Sequence, residues 1–84
     1  MPRRLGEIVA TNLRRLRNQK GWSQDELADF AGVDKNTPGN IEREETSPTV
    51  DMVERLALTL GVAPIVMFQD NAGQDAALAA PDEE

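Results

Sequence analysis

The segment "SQDELADFAGVDKNTPGNIER", residues 23–43, restricts the fold more than any other part of the chain. Ser23 and Glu26 have the S-x-x-E spacing of a capping box, in which the serine hydroxyl and the glutamate carboxylate each satisfy a backbone N–H at a helix start. Leu27, Ala28 and Ala31 then supply a short apolar face, and Gly32 suits a left-handed stop. Trp22 stands just before the cap, where a hydrophobic staple belongs. A turn of about four residues follows, then a second short helical segment anchored by Val33 and Ile41. Its start has two readings. Asp34 can cap a helix that begins at Lys35, or Thr37 can cap a shorter one with Pro38 in the first position. A capped helix, a glycine-containing turn and a second short helix make a helix-turn-helix pattern.

The flanking segments have the same helical period. In "PRRLGEIVATNLRRLRNQKG", Leu5, Ile8, Val9, Leu13 and Leu16 recur at three- and four-residue steps, and Gly21 provides the stop. "SPTVDMVERLALTLG" places Thr49 as the N-cap, Val50, Val53, Leu56, Ala57 and Leu60 as the stripe, and Gly61 at the end. "APIVMFQ" predicts a short fifth helix with Pro64 in its first turn. No strand pattern and no repeat occurs, so the expected fold is all-α, a compact five-helix bundle formed by residues 1–69. Residues 70–84 are small, polar and acidic, and are expected to form a flexible tail in which "QDAALAA" could add a helical turn or two.

Composition narrows the function classes. The 84 residues suffice for one small domain. With no cysteine and no histidine, disulfides, thiolate metal sites and the commonest general base are missing, and no nucleophile–base pair or phosphate loop replaces them. The expectation is a protein that is not an enzyme and holds no cofactor or metal. No run is apolar enough for a membrane span, and no signal peptide follows the basic start, so a cytoplasmic location is expected. Net charge is −6, yet six of the nine basic residues, Arg3, Arg4, Arg14, Arg15, Arg17 and Lys20, lie in the first twenty positions beside one acid, Glu7. The basic start and acidic end give the chain a strong charge asymmetry.

A helix-turn-helix can project its second helix into a DNA major groove about 12 Å wide. From residue 5 to residue 68 the chain resembles the phage-repressor/Cro-type helix-turn-helix regulators, the XRE family, whose domains are lambda-repressor-like. "LRRLRNQKGWSQDELADFAGV", "IER", "SPT" and "LALTLGV" carry the likeness by their order and spacing. The resemblance implies a sequence-specific transcriptional regulator that binds a palindromic operator in double-stranded DNA as a homodimer. It implies that Gln24 contacts a phosphate and buttresses the reading helix, with Ser23 making a neighbouring backbone contact. It places Lys35, Asn36, Thr37 and Asn40 against bases or the flanking backbone, and Arg43 against a phosphate after the helix. Lysine suits guanine O6/N7, and asparagine suits adenine N6/N7. Arg17 and Glu42 match an ion pair between the first helix and the reading helix, and Arg14 is moved towards backbone contact.

Three departures qualify this. Pro38 replaces a core-facing Ile or Val of the family, and inside a regular helix it would cost about 3 kcal/mol. The expectation is therefore a turn over residues 34–37 and a regular helix from about Pro38 to Glu44. Glu44 replaces a glycine, so either the helix runs on or left-handed strain is tolerated. Glu45 lies where a phosphate contact is usual, and an acid there opposes binding. Phe30, at a position that is commonly polar, is either an exposed aromatic or an added contact. Ile65, Val66, Met67 and Phe68 are candidates for a dimer interface beyond what closes the bundle. The alternative function class is a protein-interaction module on the same fold, antitoxin-like or partner-binding, with DNA reading weakened or lost.

Overall fold

The computed structural model describes residues 4–70. Among them are four α-helices, α1 (Leu5–Lys20), α2 (Gln24–Ala31), α3 (Thr37–Glu42) and α4 (Val50–Thr59), and a 3-10 helix at Pro64–Phe68; none of the described residues is in a strand. The expected fifth helix is thus a 3-10 turn. The tail readings, including "QDAALAA", lie outside the described residues.

Helix boundaries follow the local chemistry. Ser23 Oγ accepts from Glu26 N at 3.0 Å and Glu26 Oε1 accepts from Ser23 N at 2.8 Å, which completes the capping box of α2. Gly32 closes α2 at φ 71°, a conformation that would strain any side chain. Thr49 Oγ1 accepts from Met52 N at 3.0 Å and starts α4.

The entrance to α3 differs from both sequence readings. Asp34 Oδ2 accepts from Asn36 N at 2.9 Å, and the Asp34 carbonyl accepts from Thr37 N at 2.9 Å. These bonds form a tight turn at 35–36, after which Thr37 is already helical. Thr37 is therefore not the cap; Asn36 takes that position, with φ −84° and ψ −13°. Pro38 falls in the first turn, where the missing N–H removes no intrahelical bond and the carbonyl of Asp34 is already engaged elsewhere. Its ring is fully buried. The helix is also shorter than expected, ending at Glu42 instead of Glu44. Glu44 adopts φ 59°, so the left-handed turn is kept without glycine, at a cost of about 1 kcal/mol.

α1 packs on α3, α4 and the 3-10 helix, and α2 packs on α3 and α4. The shared core contains Val9, Leu13, Leu16, Leu27, Ala31, Ile41, Val53, Leu56, Ala57, Leu60 and Met67. Each fully buried Leu here contributes about 1.5–3 kcal/mol. Trp22 and Val33 pack partly against the same core. Leu5 and Val50 instead are exposed, because each is the first residue of its helix and lies at the rim of the packed face.

One buried polar residue locks the 3-10 helix. Asn12 of α1 is 2% exposed, and its Nδ2 donates to the carbonyls of Met67 (2.8 Å), Gln69 (2.9 Å) and Val66 (3.1 Å). Among the described residues, only the Val66 carbonyl of these three also accepts a backbone bond, from Gln69 N at 3.3 Å. Asn12→Ala removes the shared donor and is expected to destabilise the fold by about 2–3 kcal/mol. Urea denaturation measures this, and hydrogen exchange should show the 3-10 segment opening first.

Candidate nucleic-acid interface

α3 carries its last side chain, Glu42, inward; that side chain is 1% exposed. A carboxylate this buried stays charged only if it is paired and hydrogen-bonded. Arg17 Nε donates to Glu42 Oε2 at 2.7 Å and Nη2 to Oε1 at 3.0 Å, a bidentate pair. Arg17 Nη1 also donates to the carbonyl of Trp22 at 2.8 Å, so one guanidinium joins α1, the start of α2 and α3. Gln24 Nε2 donates to Glu42 Oε1 at 3.0 Å. Arg14 Nη2 donates to the Glu42 backbone carbonyl at 2.9 Å, and its Nε lies 3.6 Å from Oε1. Burial pushes the Glu42 carboxyl up, but hydrogen bonds from Arg17 and Gln24 and the charges of Arg17 and Arg14 outweigh it and hold the carboxyl below its ordinary value. The hydrogen bond to Glu42 raises the Arg17 guanidinium correspondingly.

Gly39 shapes the other side of this contact. A Cβ there would come within 2.9 Å of both Gln24 Oε1 and Arg43 Nη1. Glycine in a helix interior costs about 1 kcal/mol relative to alanine. Its absence of a side chain lets the Gln24 amide and the Arg43 guanidinium lie directly on α3.

The outer face of α3 carries Asn36, Asn40 and Arg43 at four- and three-residue steps, with Thr37 beside them. Asn36 and Arg43 are exposed; Thr37 and Asn40 are half-buried. Lys35 is exposed in the turn and makes no ion pair among the described residues. Arg43 Nη2 donates to Asn40 Oδ1 at 2.9 Å, and its Nε is 3.2 Å from Glu45 Oε2. Arg4 pairs loosely with Glu44 at 3.7 Å. Each trailing acid therefore has an arginine beside it.

Not every candidate residue lies on this face. Ser23 is exposed, with its hydroxyl used in the cap. Gln24 turns its amide onto Glu42, away from solvent. Arg14 is directed at the end of α3 through Glu42. On the 3-10 helix, Met67 is fully buried in the core of its own chain, which corrects its assignment to a dimer interface. Ile65 is exposed, while Val66 and Phe68 are partly buried against that core. Phe30 is exposed, and its ring packs tilted against Trp22, with centroids 4.7 Å apart.

The resemblance gives Gln24 as a buttress of α3 without naming Glu42 as its partner, while the Arg14 contact and the role of Gly39 are not read from the sequence. The two arginines one helical turn apart on α1, at 14 and 17, were the available signal for the Arg14 contact.

Removing Arg17 leaves a buried carboxylate without its main partner. Arg17→Met is expected to lose about 3 kcal/mol at neutral pH. Because the folded carboxyl value is depressed, the contribution of the pair is fully present above the unfolded value, near 4.3, and is lost as pH falls through the lower folded value. The deficit of the mutant should therefore shrink in acid, as urea melts at pH 7 and pH 3 would show.

Comparisons with known proteins agree with this geometry. The HTH_3 family model, described as helix-turn-helix, matches residues 13–66. The chain is 45% identical over 58 residues to the HTH-type transcriptional regulator SutR of Escherichia coli, covering 69% of this chain and 33% of that protein. It spans 56% and 51% of two further curated relatives, so much of those proteins has no counterpart here. Among solved structures, the hypothetical transcription factor NHTF from Neisseria superposes with a TM-score of 0.82 at 30% identity, covering 92% of this chain and 91% of that one. The restriction-modification controller protein C.AhdI from Aeromonas hydrophila gives a TM-score of 0.71 at 32% identity, covering 75% and 96%. With the capped α2, the glycine turn and the clamped α3 already in place, the match over the larger part of the chain means that it belongs to the HTH_3 family of helix-turn-helix domains.

Proposed function

We propose that the chain is a sequence-specific DNA-binding transcriptional regulator that inserts α3 into the major groove. The observation that carries this reading is the clamp on Glu42, which turns the inner face of α3 to α1 and α2 and leaves Lys35, Asn36, Thr37, Asn40 and Arg43 outward. Lysine, asparagine and threonine are side chains that reach base edges and phosphates. The free backbone N–H groups at the start of α2, beside Ser23 and Gln24, suit a phosphate. The Gln24 amide acts as a buttress, since its donor is committed to Glu42.

The active form is proposed to be a homodimer on a palindromic operator in double-stranded DNA, with two α3 helices in successive major grooves. Ile65 and the exposed parts of Val66 and Phe68 are the proposed contact, and residues 1–69 the DNA-binding unit, with 70–84 as a separate acidic tail. The family reading and the missing catalytic groups support a non-enzymatic role. Among the described residues no helix is long and apolar enough to cross a membrane, and a cytoplasmic site of action fits DNA as the partner.

A second reading rests on a groove of about 550 Å³ between α2 and α4, where exposed Phe30 and Leu58 face Asp51, Glu54 and Arg55. A protein-interaction module would use such a surface and lack DNA affinity. Selection of duplexes from a randomised pool, read by fluorescence anisotropy at low and moderate salt, separates the two. A selected palindrome whose binding weakens steeply with salt is expected, and no binding at low salt contradicts the DNA reading. Glu45→Gln frees Arg43 for a phosphate and should tighten binding about three- to tenfold, with a salt slope steeper by about 0.9.

A further inference from the structure

The groove between α2 and α4 has an apolar centre supplied by one residue from each helix. Phe30 is 54% exposed and Leu58 61%. Phe30 is backed by Trp22, which itself packs against the core, so the ring is offered to solvent from a supported position. Arg55 Nη1 reaches across the groove to the Ala31 carbonyl at 3.4 Å, which draws the base among the lining residues onto α2. Thr59 spends its hydroxyl within α4, where Oγ1 donates to the Arg55 carbonyl at 2.8 Å.

The groups left free around this centre are acids. Asp51, Glu54 and Leu58 follow at three- and four-residue steps on one outer face of α4. Asp51 and Glu54 are exposed, and their carboxylates make no hydrogen bond or ion pair among the described residues. α2 carries Asp25, Glu26 and Asp29 and no base.

These features restrict what can cover the groove. Nucleic acid would set its phosphates against Asp51 and Glu54. A second copy related by a two-fold axis would set the groove on itself, acid against acid. The chain's own residues 70–84 hold five acids and no base, the same sign again. At about 550 Å³ the groove is shallow and open, which suits side chains laid across it better than an enclosed small molecule. The complementary object has an apolar face flanked by Lys or Arg. A helix lying between α2 and α4 presents both at helical spacing.

We propose that the α2–α4 groove docks a basic amphipathic helix of a partner protein, with Phe30 and Leu58 taking its apolar face and Asp51 and Glu54 its cations. Exposed ion pairs contribute little each, so the apolar contact sets the affinity and the acids set the orientation. None of these residues belongs to the outer face of α3. The inference therefore rests on the groove alone and stands or falls separately from the DNA reading.

The probe is a synthetic amphipathic peptide of Leu, Ala and Lys, about four helical turns long, titrated into the full chain and followed by amide NMR shifts. A second peptide with every Lys replaced by Glu is the control. Saturable shifts centred on Phe30, Asp51, Glu54 and Leu58, with Asn36 and Asn40 unmoved, are expected with the basic peptide alone. Leu58→Ser, a change at an exposed site that keeps every charge, should weaken binding about fivefold or more. Asp51→Asn combined with Glu54→Gln should weaken it about three- to tenfold and flatten its salt dependence. Binding unaltered by Leu58→Ser would mean diffuse charge attraction and overturn the inference. So would an equal response to the acidic peptide, or shifts spread over other faces. Concentration-dependent shifts of the same residues in the free chain would assign the groove to a second copy and overturn it as well.

Discussion

The Glu42 carboxylate is the contact on which the arrangement of the helices depends. α3 has only six residues, too few to be stable alone. Its position is set by what it carries inward: Ile41 and Pro38 in apolar surroundings, and Glu42 against Arg17, Gln24 and Arg14. Buried charge pairs are weak sources of net stability, because desolvation offsets much of the attraction. Their geometry, though, is demanding. A bidentate arginine, a glutamine amide and a backbone carbonyl bond from a second arginine are met together at one position of α3 against α1 and α2. The clamp supplies orientation, and the apolar core supplies most of the stability.

This explains how a proline and two acids can coexist with a helix whose outer face is proposed to meet DNA. Pro38 does not interrupt α3, since an Asp34-capped turn precedes it and its ring fills core space. Glu44 takes the left-handed position without glycine and places Glu45 back against α3. Glu45 then pairs with Arg43, which in turn bonds Asn40. The two acids are not bare charges, since Glu44 has Arg4 and Glu45 has Arg43 beside it.

The capping box, the threonine N-cap, the glycine stops and the apolar stripes are legible from residues alone, because each is a local rule: Ser23 with Glu26, Thr49 before Val50, Gly32 after Ala31. The second helix of the motif was legible in kind but not in length. Its start turned on whether Asp34 or Thr37 would cap it, and the structure uses Asp34 for a turn and Asn36 at the cap. Asn12 escaped notice although it falls on the same helical stripe as Ile8, Val9 and Leu16; a polar residue at a core position signals buried acceptors, here carbonyls more than fifty residues away. The burial of Met67 and the exposure of Leu5 and Val50 depend on which helices meet, which no periodicity contains.

Titration of the side-chain carboxyl carbons by NMR in the folded protein addresses the clamp most directly. Glu42 should be among the last carboxyls to protonate as pH falls, clearly below the ordinary glutamate value near 4.3, and should lose that position in Arg17→Met. A Glu42 that titrates at or above the ordinary value would mean that burial prevails over Arg17 and Gln24, and would contradict an α3 held in place by this carboxylate.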